Sequence, residues 1–221
     1  MDADMTYYDF DERNRVLDYL IETRHTIRKF KDAAPPKDMI EKILKAGMLA
    51  PYTQIVTNRE DFRRFVVIPK ESEVTSKASA LLRRRATVLF GDLKDKMQTE
   101  EYYKNNATKY LGRLESIGPK GMPLLGNAPY YIIVADQKVV LDKSGLALAH
   151  CLQNMWLKAT ALGLGFQLVT LTEEMSGSKE FCELIGIPFG EYVLDGCLVG
   201  YPDAPALPSK RPPLEEMTRW F

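Results

Sequence analysis

Cysteine is scarce in this chain, with three in 221 residues at Cys151, Cys182 and Cys197 and no Cys-x-x-Cys pair. So few and so widely spaced, they exclude a disulfide framework and a thiolate zinc site, and they point to a reducing compartment, expected to be the cytoplasm. Histidine is scarcer still: only His25 and His150 occur, which leaves metal catalysis little to stand on. Charge of one sign is not in excess, since 30 Lys and Arg face 30 Asp and Glu, so neither a strongly basic nucleic-acid binder nor an acidic tail is expected. The longest apolar stretch, around Ala128 to Ala135, falls far short of the ~20 residues of a membrane span, and no membrane partner is expected. Also missing are a Gly-x-Ser-x-Gly elbow, a Walker loop, a His-Glu-x-x-His pair and a Gly-x-Gly-x-x-Gly turn opening a helix. Gly163-Leu164-Gly165 is too little to define a dinucleotide fold.

What is present is an ordinary globular balance, 45% hydrophobic and 27% charged, with length enough for one generous domain over 1–221. Val16, Leu17, Leu20 and Ile21 recur at helical spacing, and Met39, Ile40, Ile43, Leu44 and Leu49 mark a second helix between Pro36 and Pro51. Phe65 to Ile68, Tyr130 to Val134, Phe166 to Leu171 and Tyr192 to Val199 read as strands. The segment 72–114 reads as mostly helical, and a Pro-rich extended tail begins near residue 202. From Gly145 to Leu162 the chain is apolar nearly all round, the mark of a helix buried in a core or against a second subunit. His150, inside that stretch, is expected in a core or interface role. Helices and strands in this order give an α+β fold rather than repeated βαβ units.

Arg24, His25, Thr26 and Arg28 form the densest group of donors, two guanidinium forks with an imidazole and a hydroxyl within five residues. Such a group suits a phosphate, and equally a solvated basic corner closing the first helix, where cations are favourable. Arg83-Arg84-Arg85 has three readings: a nucleic-acid patch, an attractor for an anionic nicotinamide cofactor, and a solvated helical face, of which the last is favoured. Tyr102, Tyr103 and Tyr110 nearby are substrate contacts or ordinary packing.

Arg24 to Phe30 resembles the Arg-Arg/His-Ser/Thr-x-Arg/Lys-x-Phe opening of the nitroreductase family of FMN flavoproteins, and it is followed, as there, by a helix ending in Leu49-Ala50-Pro51. Asn127-Ala128-Pro129 is similar to that family's lead-in to a strand, and Ala161-Leu162-Gly163-Leu164-Gly165 to the end of its central helix. Gly186-Ile187-Pro188, Gly200-Tyr201-Pro202 and Lys210-Arg211-Pro212 match its closing elements.

The resemblance implies a nitroreductase-like fold, a central mostly antiparallel sheet flanked by helices. It also implies a homodimer with FMN at the subunit interface, the long helix at 146–162 forming that interface. Arg24, His25 and Thr26 would hold the phosphate and ribityl chain, and Arg28 would supply positive charge at the pyrimidine edge as the catalytic residue. Lys210 or Arg211 would complete the phosphate clamp, and backbone amides of Val169, Thr170 and Leu171 would approach flavin N5. The family's Gln-Pro-Trp after Leu-Ala-Pro is absent, leaving Gln54 or Asn58 as the amide contact to the ring. The activity implied is transfer of electrons from NADH or NADPH to a small electron-poor acceptor, a nitroaromatic, quinone or activated alkene, by a ping-pong cycle. A flavin-binding protein of the same fold with a sensing or storage role is the alternative.

Overall fold

The computed structural model describes residues 10–51, 62–138, 144–205 and 211–221. Gln54, Asn58 and Lys210 lie outside the described residues. Four strands form one antiparallel sheet in the order β1-β2-β4-β3: β1 is Arg63–Pro69, β2 Tyr130–Gln137, β3 Gly165–Leu168 and β4 Tyr192–Gly200. This is the α+β arrangement expected from the order of elements.

The sheet is central because β2 is apolar on both sides, and the period of 2 sends its side chains into two different cores. Tyr131, Ile133 and Ala135 join Leu194 and Leu198 of β4 on one face. Ile132 and Val134 join Cys197 and Val199 on the other. The first face is covered by α3 (Glu73–Thr99), α5 (Thr108–Ile117), α7 (Lys179–Leu184) and a 3-10 segment at Thr170–Gly177, and the second by α2 (Lys37–Met48) and α6 (Ser144–Ala161). Between α3 and α5 lies the short α4 (Glu101–Asn106), so the region 72–114 is helical as its composition suggested.

Gly196 has no Cβ for a reason of space: one there would sit 2.7 Å from Thr172 Oγ1 and 2.9 Å from the Tyr131 ring. In the room it leaves, the Tyr131 and Thr172 hydroxyls meet at 2.7 Å, fully buried, and burial pushes the Tyr131 phenol well above its ordinary value. Both polar groups are thereby satisfied inside an apolar face.

Much of the apolar girth of α6 is used inside the protomer. Met155 and Trp156 are 0% and 8% exposed with no second chain present. Gly47 lets α2 approach α6 closely, since a Cβ there would lie 2.8 Å from Met155 Cγ and 2.9 Å from Cys151 Sγ. Only one stripe of the helix, including Leu146, His150 and Gln153, stays exposed. His150 is therefore a surface residue of the protomer rather than a core one, because it follows the outer turn of a helix whose inner turns fill the space between α2 and the sheet. The apolar count of the segment suited an interface, but the sheet and α2 absorb most of it.

Asp195, on β4, lines a cavity of about 490 Å³ together with Glu173 and Ser176. Burial pushes it up to about 6, partly offset by the Gly196 N–H it accepts at 2.7 Å, and Glu173 adds to the rise. The folded state thus holds this proton more tightly than the unfolded chain, whose Asp titrates near 3.9. Its contribution to stability is best below about pH 4 and is lost as pH rises through about 6. Asp195→Asn is expected to raise stability at pH 8 by ~1 to 2 kcal/mol and to leave it little changed at pH 4, read from urea unfolding at the two pH values.

Candidate functional site

The segment after α1 (Phe10–Thr23) runs extended along the outside of β3. Ile27 N–H donates to Phe166 O at 3.0 Å, Asp203 N–H to Lys29 O at 3.0 Å, and Lys31 N–H to Tyr201 O at 2.9 Å. The approach is close because two glycines permit it. A Cβ on Gly165 would lie 2.7 Å from Ile27 Cγ2, and one on Gly200 would lie 2.5 Å from Pro129 Cδ and 3.0 Å from the Phe30 ring. The Asn127 side chain clamps the end of the segment: its Oδ1 accepts from Phe30 N–H at 3.3 Å, and its Nδ2 donates to Phe30 O. Gly163, at φ +70°, ends α6 in a Schellman turn, with Leu164 N–H donating to Ala159 O at 2.8 Å and Gly163 N–H to Thr160 O at 3.0 Å. That turn starts β3 where it can receive the segment.

Alternation along the extended chain puts residues 24, 26 and 28 on one face. Thr26 and Arg28 line a cavity of about 280 Å³ together with Trp156 and the run Gln167 to Leu171. Arg24 lies over the Trp156 ring, its guanidinium carbon 4.2 Å from the centroid, and that indole is stacked on Phe166 at 5.2 Å. His25 falls between these positions in the alternation and does not line the cavity. Arg211 is exposed in the tail and is likewise not a lining residue. Gln54 and Lys210 cannot be placed, lying outside the described residues.

The opposite rim differs from its sequence reading in a useful way. Strand β3 stops at Leu168, and Val169 N–H donates to Gly196 O at 2.8 Å. The chain then turns into the 3-10 segment at Thr170, with Thr172 N–H donating to Val169 O at 2.8 Å. At a helix start the first amides have no partner within the helix. Here the N–H groups of Thr170 and Leu171 make no hydrogen bond among the described residues, and both residues line the cavity.

The third wall is α5 and the loop after it, through Tyr110, Arg113, Leu114, Ile117 and Leu124. Among the described residues no acidic one lines the cavity. Arg24, Arg28 and Arg113 form no ion pair among the described residues, in contrast to the three consecutive arginines of α3. Arg84 pairs with Glu180, Arg85 Nη2 with Glu174 at 2.6 Å, and Arg83 Nε donates to Gly118 O at 3.2 Å, so that basic run ties α3 to its neighbours. The site therefore combines unneutralised positive charge, two free backbone donors and an indole face, a set suited to an anionic ligand with a flat ring.

A nitroreductase-family profile matches residues 21–201. The chain belongs to the nitroreductase family. No curated protein matches. Among solved structures, a nitroreductase with bound FMN from Bacteroides fragilis is 22% identical over 90% of this chain and 94% of its own, with a TM-score of 0.64. A nitroreductase with bound FMN from Desulfitobacterium hafniense is 21% identical over 94% and 99%, with a TM-score of 0.68. Iodotyrosine deiodinase bound to FMN and 3-iodo-L-tyrosine is 22% identical over 90% and 95%, with a TM-score of 0.64.

Three residues of the site have no signal in the sequence pattern that singles them out. Trp156 reads as one more apolar residue of α6, Gln167 as a strand residue, and Arg113 as one of many cations in a helical stretch. Trp156 could have been found from its distance to the Gly163 corner, which swings β3 back along the last turns of α6.

Proposed function

We propose that this protein is an FMN-dependent oxidoreductase that acts as a homodimer, taking reducing equivalents from NADH or NADPH and delivering them to a small electron-poor acceptor. The observation that carries the reading is the convergence, on one cavity, of Thr26, Arg28 and the Trp156 indole that Arg24 covers with the free amides of Thr170 and Leu171. FMN fits that donor set. Arg24 and Thr26 are the ligands for its phosphate and ribityl chain, with Lys210 or Arg211 as further cations from the tail. When bound, FMN supplies a ring that accepts a hydride and passes its two electrons on.

The protein's own part is positioning and electrostatics. Arg28 adds positive charge where the ring's pyrimidine edge would lie, and the two amides offer fixed hydrogen-bond donors that need no reorganisation. With a nitro acceptor, each turnover consumes one NAD(P)H and one proton and yields the nitroso product and water. Parallel double-reciprocal lines on varying NAD(P)H and acceptor together would support the ping-pong cycle. Bound flavin that NAD(P)H cannot reduce would refute the turnover reading and favour a sensing or storage role.

The dimer rests on α1. This helix has no buried residue, and Val16, Leu17, Tyr19 and Ile21 are about half exposed or more on it. An isolated 14-residue helix is marginal in water, so its apolar stripe needs a cover. A second copy of the chain supplies it in this reading, with the exposed Leu214, Met217, Trp220 and Phe221 of the tail as further contact surface. Leu17→Glu combined with Ile21→Glu is expected to give a folded monomer in light scattering and to weaken FMN binding at least tenfold, because α1 leads directly into Arg24. An unchanged dimer would remove α1 from the interface. Among the described residues no helix is long and apolar enough to cross a membrane, and Arg83 to Arg85 are engaged within the fold.

A further inference from the structure

Resting on the flavin reading of this cavity, we propose that Arg113, assisted by Tyr110, selects acceptors that carry a carboxylate: the substrate class is a planar conjugated or aromatic electron acceptor with an anionic substituent. The two residues stand on α5, across the cavity from the Thr26-Arg28 strand, so they face the space left beside the ring rather than the phosphate end.

Arg113 has no carboxylate partner among the described residues. Its polar contact is an approach of Nη1 to Met122 Sδ at 3.9 Å, too long and too weak to satisfy a guanidinium. Its neighbours in the wall, Leu114, Ile117 and Leu124, are apolar and buried, and among the described residues no acid lines the cavity to neutralise it. A guanidinium fork at the rim of an apolar slot is matched by a carboxylate on a flat ring, the ring against the leucines and isoleucine and the carboxylate in the fork. Tyr110 lies one turn away on the same helix, where burial, followed by the Glu174 carboxylate, raises its phenol above the ordinary value, with Arg85 opposing. It stays protonated and can donate to the same anion. Glu174 is itself held by Arg85 at 2.6 Å, which keeps that carboxylate from competing for Arg113.

The test uses the full chain loaded with FMN and a pair of probes alike in shape and unlike in charge. FMN uptake is measured first, and failure of the wild type to bind FMN would refute the flavin reading itself. With FMN bound, benzoate is expected to bind at least tenfold more tightly than benzamide by calorimetry, and 4-nitrobenzoate to show a KM at least tenfold below 4-nitrobenzamide. Arg113→Gln should abolish both preferences, lowering the affinity for benzoate and 4-nitrobenzoate to that of the two amides. Arg113→Lys should keep most of the preference, and Tyr110→Phe should reduce it severalfold. Since Arg113 is exposed, neither replacement at that position threatens folding. Equal binding of benzoate and benzamide by the wild type would overturn the inference. So would an equal loss of both probes in Arg113→Gln, which is what a packing role predicts, and so would a raised KM for NADH with benzoate binding intact, which would assign Arg113 to the phosphates of the hydride donor.

Discussion

Asp136→Asn should destabilise the protein by about 3 to 5 kcal/mol, the largest loss expected from any single isosteric change in the fold. Asp136 and Arg63 are opposite one another on β2 and β1, and their side chains are 2% and 4% exposed. The pair is bidentate, with Nε donating to Oδ1 at 2.7 Å and Nη2 to Oδ2 at 2.8 Å. The same guanidinium donates to Gly47 O at 2.8 Å and Ala147 O at 3.3 Å, tying the edge strand to α2 and α6. An amide in place of the carboxylate leaves a buried cation without its counter-charge, and that uncompensated charge is the source of the loss. Urea denaturation should show the midpoint falling with little change in slope. The double variant Arg63→Met with Asp136→Leu removes both charges and should recover much of the loss. Should the double variant be as unstable as Asp136→Asn alone, the ion pair would not be the cause.

Arg24→Ala should weaken FMN binding by roughly tenfold to a hundredfold, the equivalent of a charge-assisted contact of ~1.5 to 3 kcal/mol. The flavin that still binds should accept hydride at close to the normal rate. Arg28→Ala should behave differently, because its charge matters most when negative charge accumulates on the ring. The bound flavin's midpoint potential should fall and its reduction by NAD(P)H should slow even at saturating FMN. Titrating both variants with FMN, then measuring potentials and anaerobic reduction rates, separates the two roles. A potential in Arg28→Ala equal to that of the wild type would remove Arg28 from the chemistry while leaving it as a ligand. Arg24→Ala also exposes the Trp156 face it covers, so a shift in indole fluorescence should accompany it.

Much of this fold is legible in the chain because its strong signals are local. The run at Tyr130 to Val134 is apolar without alternation, and a strand of that kind must be buried on both faces, as β2 is. Gly163 and Gly165 read as the stop of a helix and the start of a strand, and the two positions do that through a positive φ and a missing Cβ. The less legible features are those in which distant residues meet. Arg63 and Asp136 are 73 positions apart and look like two ordinary surface charges until β1 and β2 pair. Trp156 becomes part of a site only when β3 folds back beside α6. Val169 to Leu171 continue a strand pattern in composition, yet the chain turns into a 3-10 segment at Thr170, and the amides of Thr170 and Leu171 make no hydrogen bond among the described residues. The long helix is buried as its apolar girth predicts, but a count of apolar residues cannot say how much of the cover is the chain's own sheet and how much another subunit.

The flavin chemistry is tested most directly by a visible absorption spectrum of the purified protein, incubated with FMN and freed of unbound cofactor, before and after anaerobic addition of NADH or NADPH. Stoichiometric FMN is expected to stay on the protein, with its yellow absorbance bleached by the nicotinamide. A colourless protein that retains no FMN would contradict it.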